Sequence, residues 1–488
     1  MRNPIRVLGL ILLACVAQSV AAVDLLDAWQ AAVQNDKEYA VGRAAQATAQ
    51  PRRDQASSLW RPSIGLTASV GVASNDTESR GAQFSAPGFG QSSGVGFSTS
   101  VNNGSSGRWA IAATQPIYNP ERRAQQRQLT LSADAADVEW QAAGQSLMLH
   151  TAERYFDVAM ADEMVRVLRM QLDAVQAATT EAQDRFKLGS VPVTDSHEAR
   201  ARLAGVRALV LAAESELQIK RSLLADSTAL PLSALAVHLP ARPNPAVATD
   251  ALARPLEAWL AEALDGNPLI RTQLLAVEVA RQEAFKYSRA SFATVELVAQ
   301  AGRDRLSGSG DFGSASNTGG NRMIGIQLSV PLFTGGYRDA KGEEASRLAD
   351  KAMAEVERTR QQVSQQVRSA WLGLSVGAQR VQSLDEALAV STARRDATQL
   401  GREVGQRTTL DVLNAENDIA AAHLALTQGR VGLLLNRLRL AALVGRLDVA
   451  TLRSVNGELS ITEGRTQAMP LAEFGIAGTD TGAACTQR

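Results

Sequence analysis

"GREVGQRTTLDVLNAEN", residues 401 to 417, repeats the plan of "RFKLGSVPVTDSHEARA", residues 185 to 201: a helical run, a Gly, a short polar break, then an Asp that opens a second run. A Gly just past a periodic stretch is a stop signal, and Thr or Asp ahead of the next stretch is a start signal. Each piece therefore reads as the tip of a helical hairpin, with Gly189 and Gly405 at the turns. Other echoes lie at a similar separation. "LLDAWQAAVQND" at 25 to 36 returns as "PLEAWLAEALDGNP" at 255 to 268, and "ATQPIYN" at 113 to 119 returns as "LSVPLFT" at 328 to 334. The spacing exceeds the ~20 to 50 residues of a solenoid repeat. The chain reads as two copies of one domain-sized unit, residues 23–229 and 254–447, joined by a linker at 230–253.

Each copy opens with a helix, around 24 to 58 and 254 to 290, and then the hydrophobic period changes from 3.6 to 2. In "SIGLTASVGVAS" Ile64, Leu66, Ala68, Val70 and Val72 alternate with Gly65, Thr67, Ser69 and Gly71. "RWAIAATQ" places Trp109, Ile111 and Ala113 on one side; "TVELVAQAG" and "MIGIQLSVP" do the same with Leu297, Ile324, Ile326 and Leu328. The spacing predicts one-faced strands at 62–74, 107–117, 293–303 and 322–332. The Ser/Gly/Asn-rich segments between them, 74–107 and 303–321, read as solvent loops. Gly88, Gly90 and Gly94 make no phosphate cradle, because no Lys-Ser/Thr follows them.

Beyond the strands, no Pro interrupts residues 121 to 188 or 337 to 400. Seventy residues of helix would reach roughly 100 Å at ~1.5 Å per residue. In the second run Leu348, Ala352, Val356, Val363, Val367, Ala370, Leu374, Val381, Leu384 and Leu388 recur at coiled-coil spacing. Return helices follow at 195–228 and 409–444.

Four strands cannot close a membrane barrel, which needs at least about eight. Pooling them among three copies leaves no open edge. The fold class expected is thus mainly α with membrane β: four strands per chain pooled into a 12-stranded trimeric β-barrel, continued by a long α-helical coiled-coil tunnel.

The ends and the composition agree with export. Arg2, Arg6, an apolar run from Val7 to Val16 and Val20-Ala21-Ala22 form a signal peptide over 1–22, with lipidation at Cys15 the alternative to cleavage before Val23. Cys485 lies in a polar tail, 448–488, that reads as flexible. With 50 basic and 50 acidic residues, nothing attracts nucleic acid. His150, His197, His238 and His423 stand singly, without metal spacing, so neither an enzyme nor a cofactor is expected.

The duplicated order, the LDAW and LEAW helix starts, the "QPIYN" and "VPLFTGG" strand exits and "VGQRTTLDVLNAEN" resemble the TolC family of outer-membrane efflux proteins, over about 24 to 447. The resemblance implies a homotrimeric duct in the cell outer membrane with its helical tunnel in the periplasm, 230–253 becoming an equatorial segment. It implies as partners a periplasmic adaptor (membrane fusion) protein and an inner-membrane ABC or other export transporter. The cargo would be proteins, by type I secretion and a toxin among them, or small toxic compounds. It also places a periplasmic gate at the hairpin tips. Asp411 matches the first acidic ring position, whereas the second is Asn414 here. Thr194, Asp195 and Arg407 match the latch, and Arg402 stands where the family has a tyrosine, so an Arg402 to Asp195 ion pair is expected. Two plainer roles stay open: Thr408-Thr409-Leu410-Asp411 is also a capping box, and Arg402 and Arg407 are equally readable as solvated charges. A soluble periplasmic coiled-coil adaptor is the rival reading, since it also needs export and hairpins, but not four strands.

Overall fold

Alternation of branched aliphatics with Gly, Thr and Ser builds one four-stranded antiparallel sheet in the computed structural model, which describes residues 23–88, 90–190, 192–232, 237, 239, 254–288, 293–310 and 313–460. The expected signal peptide with Cys15, most of the linker and Cys485 lie outside those residues. The helices α1 (Leu25–Asn35), α2 (Lys37–Gln46) and α3 (Ala49–Ser58) lead to strands β1 (Ser63–Ala86) and β2 (Gly90–Tyr118). Then come the long α4 (Pro120–Lys187) and its return α5 (Val193–Thr228). The order repeats as α6 (Leu256–Gly266), α7 (Pro268–Lys286), β3 (Thr294–Gly310), β4 (Gly313–Ser329), α8 (Tyr337–Glu403) and α9 (Thr409–Leu443), and α10 (Val449–Ser460) ends the described chain. Among the described residues no helix is long and apolar enough to cross a membrane.

The chain divides into two units. One comprises 38–144 and 260–366 and holds the sheet, in the order β1-β2-β3-β4 with each neighbour antiparallel. Register puts Leu66 opposite Ile111, Ala68 opposite Trp109, Ile111 opposite Ala301 and Leu297 opposite Ile326. Directly opposed residues share a face, so the apolar sets of all four strands form one continuous side. Gly65, Thr67, Ala112, Gln300 and Gln327 lie on the other. The apolar side is bare: Val70 is 91% and Ile324 75% exposed. The outer edges of β1 and β4 have no partner strand among the described residues.

The expected loops are not loops. β1 and β2 stay paired to Ala86 and Gly90, and β3 and β4 to Gly310 and Gly313. Ser, Gly and Asn satisfy a backbone ladder as well as Val does, but with polar residues on both faces they leave no period-2 signal. At ~3.3 Å per residue β1 is roughly 80 Å long, well beyond the ~10 residues that cross a bilayer. Register slips between Ala73 and Asn75 and between Asn102 and Ser105 mark where the ladder bends.

The second unit comprises 23–37, 145–259 and 367–460 of the described regions. Its core gathers Leu25 and Ala28 of α1, Tyr155 and Phe156 of α4, Leu224 of α5, Leu438 of α9 and Leu452 and Val455 of α10. Helix α10 corrects the expected flexible tail: Leu452, Val455 and Leu459 recur at three and four, and all are buried. Asp448 starts that helix by accepting from the Thr451 N–H at 2.8 Å, which holds its carboxyl below the usual range. Two single helices expected from sequence are also broken. Asp36 and Thr48 divide the first; Asn267 divides the second by capping Leu269 and Ile270 ahead of Pro268. The seam of α8 is partly sealed, with Val363, Val367 and Leu374 buried and Leu348 left half exposed.

Candidate functional site at the hairpin tips

The two hairpin tips are built on one backbone plan. Gly189 has φ +73° and Gly405 φ +76°, the left-handed region that a Cβ penalises. At the first tip the Ser190 N–H reaches the Arg185 carbonyl at 2.9 Å and the Gly189 N–H the Phe186 carbonyl at 2.9 Å. At the second, Gln406 reaches Gly401 at 2.8 Å and Gly405 reaches Arg402 at 3.0 Å. Both are Schellman endings, in which a left-handed Gly satisfies carbonyls that the helix leaves open. No atom lies within 4 Å of a Cβ built on Gly405, so Gly405→Ala costs only the left-handed conformation, roughly 1–2 kcal/mol. Amide exchange at Gln406 and Arg407 should rise about 5- to 30-fold in that variant; an unchanged rate would mean the tip does not depend on the turn.

The starts of the return helices differ. Thr408 caps α9: its hydroxyl accepts from the Asp411 N–H at 3.1 Å, and Asp411 Oδ2 accepts from the Thr408 N–H at 2.9 Å. That is the full capping box. These donors, helped by Arg407, hold the Asp411 carboxyl below its ordinary range, the Thr408 backbone N–H contributing most. Helix α5 has Pro192 at its cap position and so no side-chain cap, and the Asp195 carboxylate makes only a 3.4 Å contact from the Thr194 hydroxyl. Asn414 is half buried, one turn into α9.

Between hairpins, the contacts are mostly polar. Arg402 Nη1 lies 2.8 Å from Glu181 Oε2, not against Asp195. This corrects the expected pairing. Arg402 sits in the last turn of α8, level with α4, whereas Asp195 stands on the far side of the first tip in α5. Among the described residues neither Arg407 nor Asp195 has an ion-pair partner within 4 Å, although the Arg407 charge acts on Asp411. Gln171 donates to Asn417 Oδ1 at 3.0 Å, and His423 Nδ1 lies 3.2 Å from Glu163. Val175, Val206 and Leu413 seal the junction with an apolar cluster. A cleft of about 120 Å³ opens beside it, lined by Arg185, Asp195, Glu198, Arg202, Thr408 and Leu410 among others. Thus the structure brings Thr194, Asp195, Thr408 and Asp411 to one end of the unit. Glu181 and Gln171 were missed, because nothing in spacing alone pairs residues over 200 positions apart. Among the described residues no group of three or more His, Cys, Asp or Glu is placed to hold a metal ion.

The model of the outer membrane efflux protein family matches residues 28–229 and 259–446. The outer membrane protein TolC of Vibrio cholerae is 26% identical over 455 residues, 92% of this chain and 97% of the relative. The alkaline protease secretion protein AprF of Pseudomonas aeruginosa is 27% identical over 354 residues, 71% of each chain. Among solved structures, the outer membrane protein VceC of Vibrio cholerae superposes with a TM-score of 0.67 at 19% identity, over 86% of this chain and 96% of that one. The last likeness establishes the fold, mainly α with four strands per chain. The matched family is that of the channel, not of the periplasmic adaptor, and its members are channels rather than enzymes. With most of its length inside that match, the chain belongs to the outer membrane efflux protein family, whose place is the cell outer membrane with a helical tunnel in the periplasm.

Proposed function

We propose that three copies of this chain form one export duct, four strands from each closing a twelve-stranded barrel in outer-membrane lipid. The observation that carries the reading is the sheet itself: one continuous apolar face left bare, and two outer edges without partner strands among the described residues. Open edges invite pairing with another chain, and a barrel is the way to satisfy them in lipid, where no water can. The duct receives cargo from an inner-membrane ABC or other export transporter through a periplasmic adaptor protein. Proteins leaving by type I secretion, a toxin among them, are the favoured cargo over small toxic compounds, and AprF, named for alkaline protease secretion, supports that order. The hairpin tips form its periplasmic entrance. Asp411 supplies an acidic ring, Asn414 leaves a second ring uncharged, and Thr194, Asp195 and Arg407 stand around the aperture beside the turns at Gly189 and Gly405.

Two measurements test this. The detergent-extracted protein should cross-link as a trimer and conduct ions in a planar bilayer; extraction by carbonate as a monomer would sink the duct. Divalent cations added at the tip side should block the current. Asp411→Asn should weaken that block severalfold, whereas Asp411→Glu, which keeps both the charge and a capping-box acceptor, should retain it. An equal block in all three proteins would remove Asp411 from the aperture.

A further inference from the structure

We infer that the apolar side of β3 and β4 ends in a binding site for the phosphorylated headgroup of the outer-leaflet glycolipid, held by Arg303, Arg305 and Arg322. The inference rests on that side of the sheet being the lipid side. Alternation sets the faces. Ala301 lies opposite Ile111 and Arg322 lies opposite Ala301, so Arg322 stands on the apolar side. Arg303 and Arg305 follow Ala301 at steps of two, and Arg303 lies opposite Trp109, so both stand there as well. Asp304, between them, belongs to the other side, opposite Arg108. The strand thus sorts its charges, with cations toward lipid and the acid toward water.

Depth decides what these cations meet. The strands join their helices at the ends marked by Ser63, Tyr118, Thr294 and Ser329, and both hairpin turns lie at the opposite ends. With the helical tunnel in the periplasm, the turns point outward from the cell. Toward the turns β3 runs Val295, Leu297, Ala299, Ala301 and then Arg303, while β4 runs Leu328, Ile326, Ile324 and then Arg322. Each of those two arginines is the first residue past the apolar band. The eight steps from Val295 to Arg303 cover ~26 Å along the strand, and a tilt of ~35–45° reduces this to roughly 20 Å of depth, close to the ~25 Å apolar band of membrane barrels. An arginine at mid-depth would be costly; at the rim it meets headgroups. Trp109, 46% exposed, flanks Arg303 at the level that amphipathic rings favour.

The patch is suited to an anion. All three arginines are exposed, and among the described residues none has an ion-pair partner within 4 Å. No Asp or Glu occupies the same side of β3 from Val295 to Arg305, or of β4 from Thr318 to Leu328. Arg303 and Arg322 are diagonal neighbours, ~7–8 Å apart at the backbone, a gap that one phosphate bridges when two guanidinium forks reach toward it. Arg303 lies opposite Gly320 and Arg305 opposite Gly107, so no side chain fills the space beside them; a Cβ built on Gly107 meets nothing within 4 Å. A zwitterionic phospholipid masks its phosphate with an amine. The outer-leaflet glycolipid carries unmasked phosphates on a rigid sugar core, and that chemistry matches forked, unpaired guanidinium groups.

The test is lipid retention by the delipidated, detergent-held trimer, read by native mass spectrometry after adding bisphosphorylated lipid A, the same lipid stripped of its phosphates, or inorganic phosphate. Trimer on an unheated gel shows that each variant assembles. The parent should keep bisphosphorylated lipid A and lose the stripped lipid, and inorganic phosphate at equal concentration should not displace the bound lipid. Arg303→Gln and Arg322→Gln should each lower retention about fivefold, and the two together about 25-fold. Arg108→Gln, on the water side one residue away from Trp109, should bind as the parent does. The assignment is overturned if removing the phosphates changes nothing, if the Arg303 and Arg322 variants retain lipid like the parent, or if Arg108→Gln loses as much as they do. Displacement by inorganic phosphate would make the patch an ion site and overturn the lipid assignment. A trimer that conducts ions yet keeps no glycolipid would remove this site and leave the duct standing; a parent that forms no trimer would overturn both.

Discussion

Leu66→Arg should abolish assembly of the trimer in the outer membrane, while Thr67→Arg, its immediate neighbour, should permit it. Leu66 belongs to the apolar side of the sheet, beside Ile64 and opposite Ile111; Thr67 points to the other side, opposite Ala110. An Arg on the lipid face of a membrane barrel costs about 2–4 kcal/mol near the bilayer midplane and little near the interfaces. Three-fold pooling applies that cost at three places in one barrel, roughly 6–12 kcal/mol, comparable with the whole ~5–15 kcal/mol stability of a folded domain. Thr67→Arg introduces the same side chain on the side that faces water in the closed barrel, where it can remain hydrated. Heat-modifiable trimer on an unheated gel of outer membranes would report the difference. If Leu66→Arg reached the parental level, the bare apolar face would not be a lipid face, and the pooling of strands would lose its main support.

The same pair of residues shows what made the sheet legible. Leu66 and Thr67 differ in polarity because one neighbour is lipid and the other water, and a boundary of that kind writes a period of two into the sequence. Beyond Ala73 the boundary ends. Residues such as Ser98 and Ser100, opposite Glu78 and Asp76, pair in the ladder as Ile111 does, but with polar residues on both faces no alternation marks them. The hairpin tips were legible for a related reason: Gly189 and Gly405 must take positive φ, and only Gly does so without strain. The capping box at Thr408 was equally local, four residues wide.

What was not legible depends on register between distant helices. Arg402 and Glu181 are 221 positions apart. Which carboxylate an arginine meets is set by how two helices slide past each other, and by an Arg side chain that commands several ångströms of reach. Asp195 was the natural expectation from matching motifs; Glu181 wins because it stands beside the end of α8. Helix α10 was hidden differently. Its polar composition suggested a loose tail, yet three residues, Leu452, Val455 and Leu459, suffice to dock it, aided by Asn456, whose side chain accepts from the Leu25 N–H at 3.2 Å.

That docking converges on a second large effect. Phe156→Ala should destabilise the second unit by about 3–5 kcal/mol, the usual cost of removing a fully buried aromatic and leaving its cavity. Phe156 and Tyr155 are both fully buried, their rings edge to face at 5.6 Å and 88°, an arrangement worth a further ~0.5–1.5 kcal/mol beyond burial. Aromatics are only 4% of the chain, and elsewhere the packing is carried by small residues such as Ala49, Ala133 and Ala136. A cluster of alanines loses little when one side chain goes. Here two large rings fill the space where α1, α4, α5, α9 and α10 meet, so truncation leaves a void that five helices would have to close around. Phe156→Leu, which keeps most of the volume, should cost under about 1.5 kcal/mol. Denaturant melts of the detergent-held trimer, read by helical circular dichroism, would separate the two. Equal midpoints for Phe156→Ala and Phe156→Leu would show that the helices relax into the cavity, and would move the keystone of this core from the aromatic pair to the aliphatic ring around it.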